Sequence, residues 1–132
     1  MSTPYDPTII TRRTDANMLT QEWRLVNAVG DNDMDLAGLG TVAIGALTND
    51  VATGAVAAVF LPVQVGGMIK AVCGGAIPAG SLAMPDAAGA AIVCTPALGG
   101  ATASQAFGIA LETHAAGDVG TFLFAPSYVR TA

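Results

Sequence analysis

Between residues 37 and 129 the chain carries only five charged side chains: Asp50, Lys70, Asp86, Glu112 and Asp118. About a quarter of the residues of an ordinary soluble domain are charged, whereas the whole of this chain reaches 11%. A free copy would therefore face water with a surface on which contiguous apolar patches are hard to avoid. Aromatic residues make up 5% and glycines number 16, so much of the 52% hydrophobic content is small side chains that bury little area each. Burial against other molecules is the expected remedy. With 132 residues there is room for one domain and its core.

The remaining charge sits at the front. Asp6, Asp15, Glu22, Asp31, Asp33 and Asp35, with Arg12, Arg13 and Arg24, all precede residue 37. This sets an expected division into a polar segment, 1–36, and a nearly neutral body, 37–132. Residues 1–20 hold Pro4, Pro7 and six Ser or Thr without a sustained period, the pattern of an extended arm. Glu22–Val29 partly alternates polar and apolar, as a strand with one wet face does. Asp33–Leu39 is the one stretch with a helical look, kept short by Gly38 and Gly40. A net charge of −5 and a pI near 4.3 argue against nucleic acid and anionic membranes as partners. The longest apolar run, 55–69, is broken by Pro62, Gln64 and Gly66-Gly67. It falls short of the roughly 20 residues of a spanning helix and is expected to form two strands. The first residues lack a basic region leading into an apolar one, so synthesis in a cytoplasm without a secretory leader is expected.

The body contains an internal echo. Residues 42–62 read VAIGALTNDVATGAVAAVFLP and residues 106–126 read AFGIALETHAAGDVGTFLFAP. Each is an apolar strand ending in Ala-Leu, a polar loop closed by Gly, and a second apolar strand, which is the pattern of a β-hairpin. Two copies are too few for a solenoid and suggest a pseudo-symmetric barrel or sandwich. Between them, Val63–Cys73 reads as strand, and Pro85-Asp86-Ala87-Ala88-Gly89 reads as a tight turn. There Asp supplies a side-chain acceptor and Gly a positive φ. The fold class predicted is all-β: a small, single-domain β-barrel or tulip-like fold built from hairpins, with an extended N-terminal arm.

Residues capable of chemistry are few. Cys73 and Cys94, the only cysteines, lie in apolar strand-like runs and read as buried free thiols. His114, the single histidine, falls in a loop with Glu112 and Asp118, and no Ser or Cys stands in a nucleophile-elbow context near it. It reads as a solvated turn residue. Asp31, Asp33 and Asp35 resemble the start of an EF-hand loop, but Leu36 stands where Gly is required and Val42 where a bidentate Glu is required. The three acids read instead as a solvated turn salt-bridged to Arg12, Arg13 or a partner. No catalytic residue, cofactor or metal is expected. Interface anchors are sought among aromatics and arginines, which dominate binding hot spots: Tyr5, Arg12, Arg13, Trp23, Arg24, Tyr128 and Arg130. For Trp23, core packing is the competing reading.

One ordered set of motifs carries a family likeness. Residues 74–89, GGAIPAGSLAMPDAAG, followed by residues 107–119, FGIALETHAAGDV, resemble the cement (decoration) proteins of tailed-phage capsids. The likeness runs from about Val42 to Pro126 and leaves residues 1–36 unmatched. It implies a β-barrel domain on the outside of a phage head, stabilising the shell. The implied partners are the major capsid protein and further copies of the chain, as a homotrimer. Synthesis would be in the host cytoplasm and residence on the virion surface. Two other classes fit the composition. A carrier or ligand-binding barrel would need an exposed lysine at a hairpin tip, and Lys70 lies in a Val/Ala strand. A self-assembling fibre or adhesin subunit shares the charge-poor surface.

Overall fold

The computed structural model describes residues 8–14, 21–30, 33–48, 60–94 and 103–130. Among them the regular elements are all strands, and they form two sheets. The first is a closed barrel of β1 (Thr8–Thr14), β2 (Leu25–Val29), β3 (Asp33–Leu36), β4 (Ala43–Leu47) and β5 (Phe60–Gly66) in the order β1-β3-β2-β4-β5. β1 closes it by running antiparallel to β5. The second is five-stranded: β6 (Met68–Val72), β7 (Leu82–Pro85), β8 (Ala91–Val93), β9 (Ala103–Ala110) and β10 (Val119–Arg130), ordered β6-β10-β9-β7-β8. The all-β expectation holds, and the barrel is joined by a second sheet.

Strand β2 shows why the two sheets pack. Leu25 and Val26 are both fully buried, although adjacent side chains in a strand point to opposite faces. Val26 joins Met34, Leu47, Leu61 and Val63 inside the barrel. Leu25, with Ala37, Ala43 and Ala46, joins the core shared with the second sheet, where Phe107 and Phe122 are the largest members. Most of the barrel's contribution to this shared core is alanine. The sheets can approach closely there, and burial rests on the few large residues opposite.

The chain passes from barrel to sheet at Gly67, whose φ of 70° suits a residue without Cβ. The strand predicted over 63–73 is therefore two strands in two sheets. Gln64 ties the crossing. It is fully buried; its Oε1 accepts from Lys70 N at 2.9 Å, and its Nε2 donates to Lys70 O at 3.1 Å and more weakly to Ala46 O at 3.4 Å. A buried amide is tolerable only when paired in this way.

β4 pairs antiparallel with β5 in one sheet and β9 with β10 in the other, while residues 49–59 of the first echoing unit lie outside the described residues. The aligned pairs Ala43/Ala46 and Phe107/Ala110 all enter the shared core. Positions three apart should face opposite ways in a regular strand, so the alternation slips by one residue in both copies. A glycine stands within each slip. A Cβ on Gly45 would overlap the Gln64 carbonyl oxygen, and one on Gly108 would overlap that of Leu123. The β7–β8 turn forms as expected: Asp86 Oδ1 accepts from Ala88 N at 2.8 Å and Ala90 N at 2.9 Å, and Gly89 takes a φ of 79°.

Two local expectations are corrected. Thr8–Thr14, read within an extended arm, is a barrel strand paired along its length with β5. Asp33–Leu36, read as a helical start, is a strand between β1 and β2, because Met34 is drawn into the barrel interior.

Candidate interaction surfaces

Among the described residues, Arg12 and Arg13 lie at the β1–β3 seam, and Trp23 and Arg24 lie where the two sheets meet. Arg13 lies opposite Asp33 in the parallel β1–β3 pair and binds its carboxylate through two nitrogens, Nε at 2.5 Å and Nη2 at 3.0 Å. Arg12 donates from Nη2 to the Asp33 carbonyl at 3.3 Å. The two arginines thus hold the β1–β3 seam, the short parallel pairing that completes the barrel. Arg13 beside Asp33 holds that carboxyl below its ordinary value of 3.8. A lowered folded-state value means the pair stabilises above the unfolded-state pKa, and that this is lost as pH falls through the folded value. Asp33→Asn is therefore expected to flatten the acid limb of a urea-midpoint-against-pH profile below about pH 5. An unchanged acid limb would show that the pair contributes nothing to folding.

Trp23 and Arg24 sit at the junction of the sheets. Trp23 has a φ of 65°, unfavourable for a bulky residue. The conformation is held from both sides, since Trp23 N donates to Leu47 O of the barrel and Trp23 O accepts from Val72 N of the second sheet. Arg24 Nη1 reaches Ala88 O at 3.3 Å. Both residues are half-buried and serve the joint between sheets. Tyr128 and Arg130 fall on β10 opposite Gln105 and Ala103, and Tyr5 lies outside the described residues.

His114 differs from its sequence reading. It is buried, 8% exposed, with its ring against Phe122 at 5.8 Å between centroids. Its Nε2 accepts from Thr121 N at 3.1 Å, which assigns the neutral ring its proton on Nδ1. Its backbone exchanges two hydrogen bonds of 2.9 Å with Ile77. The imidazole is a packing element that pins the 111–118 loop to the 74–81 loop. The cysteines are free thiols as expected, Cys73 buried and Cys94 half-buried, and burial pushes both thiols up, away from thiolate chemistry. Among the described residues no three His, Cys, Asp or Glu side chains stand together as metal ligands. Asp31 lies outside them.

What the sequence did not reveal is which apolar side chains face water. Leu111, Val119 and Leu123 are exposed on one end and face of the second sheet. On β1, Ile9 and Ile10 are 45% and 38% exposed although they are sequence neighbours and point to opposite faces. A groove of about 270 Å³ lies between Val42-Ala43 and the β9–β10 pair. That is at or below the small end of ligand pockets.

No family model matches the chain, and no curated protein does. Among solved structures, the chain is similar to the N base of the head fiber gp8.5 of bacteriophage phi29. The similarity has a TM-score of 0.67 at 19% identity and covers 89% of this chain and 93% of that one. The fold is shared almost end to end.

Proposed function

We propose that this chain is a structural protein of a phage head, bound to the outside of the shell as a decoration protein. The observation that carries the reading is the fold shared over nearly the full length of both chains with a head fiber base. The charge-poor body and the exposed apolar side chains on both sheets support it, since each calls for cover by another protein. On this reading the partners are the major capsid protein and further copies of the chain as a homotrimer. The role is the addition of buried area across the shell's joints, a task that requires no catalysis.

The same neighbour favours a second reading, in which the domain is the base of a head-attached fibre. One experiment addresses both. The purified chain is mixed with heads that lack it, sedimented, and the heads are then melted. Decoration predicts saturable co-sedimentation and a higher shell melting temperature, because a ligand of the assembled state alone stabilises that state. A fibre base that binds the shell raises the melting temperature by the same linkage, so the two readings are separated by the number of copies bound at saturation: few per head for a fibre base, one for each repeated site of the shell for a decoration protein. Absence of binding at saturating concentration would sink both.

A further inference from the structure

We propose that the outward face of the second sheet is the surface by which the chain docks on the phage shell, against an apolar patch flanked by basic side chains. The strand register sets three rows of side chains on this face. Leu82, Ile109, Leu123 and Met68 stand opposite one another across β7, β9, β10 and β6. Leu111, Thr121 and Lys70 form the next row, with Leu111 N donating to Thr121 O at 3.1 Å. Val119 beside Val72 forms the third. The residues that alternate with these, among them Ile69, Ala71, Ala83, Ala110 and Phe122, are buried in the shared core. An antiparallel sheet covered on one side ordinarily turns polar side chains to water on the other. Here seven of the nine outward positions are apolar. Leu111, Val119 and Leu123 are 42%, 45% and 42% exposed, so the apolar face meets solvent. A contiguous face of this kind marks a site of contact with another protein.

Charge and area identify the occupant. Glu112 follows Leu111 and Asp118 precedes Val119; both acids are exposed at one end of the face, and the loop from 112 to 118 holds no Lys or Arg. With a net charge of −5, the chain is steered towards a positive surface and away from another copy of itself. The nine positions cover a footprint of roughly 300 Å² at the usual spacings within a sheet. A standard stable interface takes about 800 Å² from each partner. The face is therefore too small to hold two free copies together by itself. It is sufficient on a shell, which offers many equivalent sites and to which other contacts tether the same assembly. A basic-flanked apolar patch on the shell covers the three rows and gives the two carboxylates partners. The proposal rests on the shell-bound reading above and adds to it the surface that makes the contact.

The test compares variants of the full chain for co-sedimentation with heads that lack it. Leu123→Lys puts a positive charge in the middle of the first row, and Val42→Lys puts one at an exposed apolar position of the barrel. Glu112→Lys reverses a rim charge; Asp118 is left alone because its Oδ2 accepts from Ala115 N at 2.8 Å. The expected result is at least about ten-fold weaker binding for Leu123→Lys and binding within about two-fold of the parent for Val42→Lys. Glu112→Lys should bind more weakly than the parent and lose less affinity as salt is raised. Melting of the free variants checks the fold. If Leu123→Lys melts well below the parent, Leu111→Lys, outside the strands, reads the same face with the same expected loss. Parent binding matched by both Leu123→Lys and Leu111→Lys would overturn this proposal and leave the shell-bound reading standing. Parent chain that does not bind heads would overturn both. A solution mass smaller for Leu123→Lys than for the parent would assign the face to a second copy and also overturn the proposal.

Discussion

Replacing Gly108 by alanine is expected to cost about 3 kcal/mol or more and to lower the melting temperature by roughly 10 °C or more. The reason is space, since Gly108 has no positive φ to defend. An added Cβ would run into the Leu123 carbonyl oxygen of the neighbouring strand, with the Leu123 carbonyl carbon at 3.1 Å and Phe124 Cα at 3.4 Å behind it. These are backbone atoms of the β9–β10 pair and cannot swing aside as a side-chain end can. The same holds at Gly45, where the obstacle is the Gln64 carbonyl, with Val63 Cγ1 at 3.0 Å. Gly45→Ala also presses on the residue that ties barrel to sheet. Gly75→Ala is the control, because a Cβ there meets nothing within 4 Å; it should shift stability by no more than about 0.5 kcal/mol. Chemical denaturation of the three variants decides the matter. Gly108→Ala as stable as Gly75→Ala would mean that the strands separate there at no cost.

Phe122→Ala is expected to cost about 3–5 kcal/mol, a large share of the 5–15 kcal/mol that holds a typical domain folded. Phe122 is fully buried and meets Phe107 edge-on, 5.1 Å between centroids and 62° between planes, with the His114 ring on another side. Elsewhere the shared core is largely alanine, so few neighbours are large enough to move into the vacated space. The Phe107→Ala/Phe122→Ala double variant should lose less than the sum of the singles, by about 0.5–1.5 kcal/mol, the usual worth of such a ring pair beyond its area. A Phe122→Ala variant within 1 kcal/mol of the parent would show that the sheets repack around the gap.

Features fixed by adjacent residues were legible before the structure. The Asp86–Gly89 turn depends on a side chain bonding its own backbone two and four residues on, and it formed as read. Features set by distant residues were not. β1 is exposed along most of its length, so it shows none of the alternation that marks a strand, and only β5 reveals it. Asp33–Leu36 is too short for its period to be decided, and its state follows from Met34 entering the barrel. His114 looked like any polar loop residue; its burial requires Gly120, where a Cβ would stand 2.5 Å from the ring. Of the proposed interface arginines, Arg13 has a partner of the expected kind in Asp33, across the β1–β3 seam.

The crossing at Gly67 divides the chain in a second sense, in time. Every barrel strand precedes it and every strand of the other sheet follows it. During synthesis the barrel is thus complete in sequence before any of the opposing sheet exists, and at about 5–20 residues per second the remainder takes several seconds to appear. Through that interval the flank formed by Leu25, Ala37, Ala43 and Ala46 has no cover. Three of those four residues are alanine, the apolar side chain with least area to expose. The thin lining that makes the finished joint depend on Phe107 and Phe122 also makes the half-made chain a poor nucleus for aggregation.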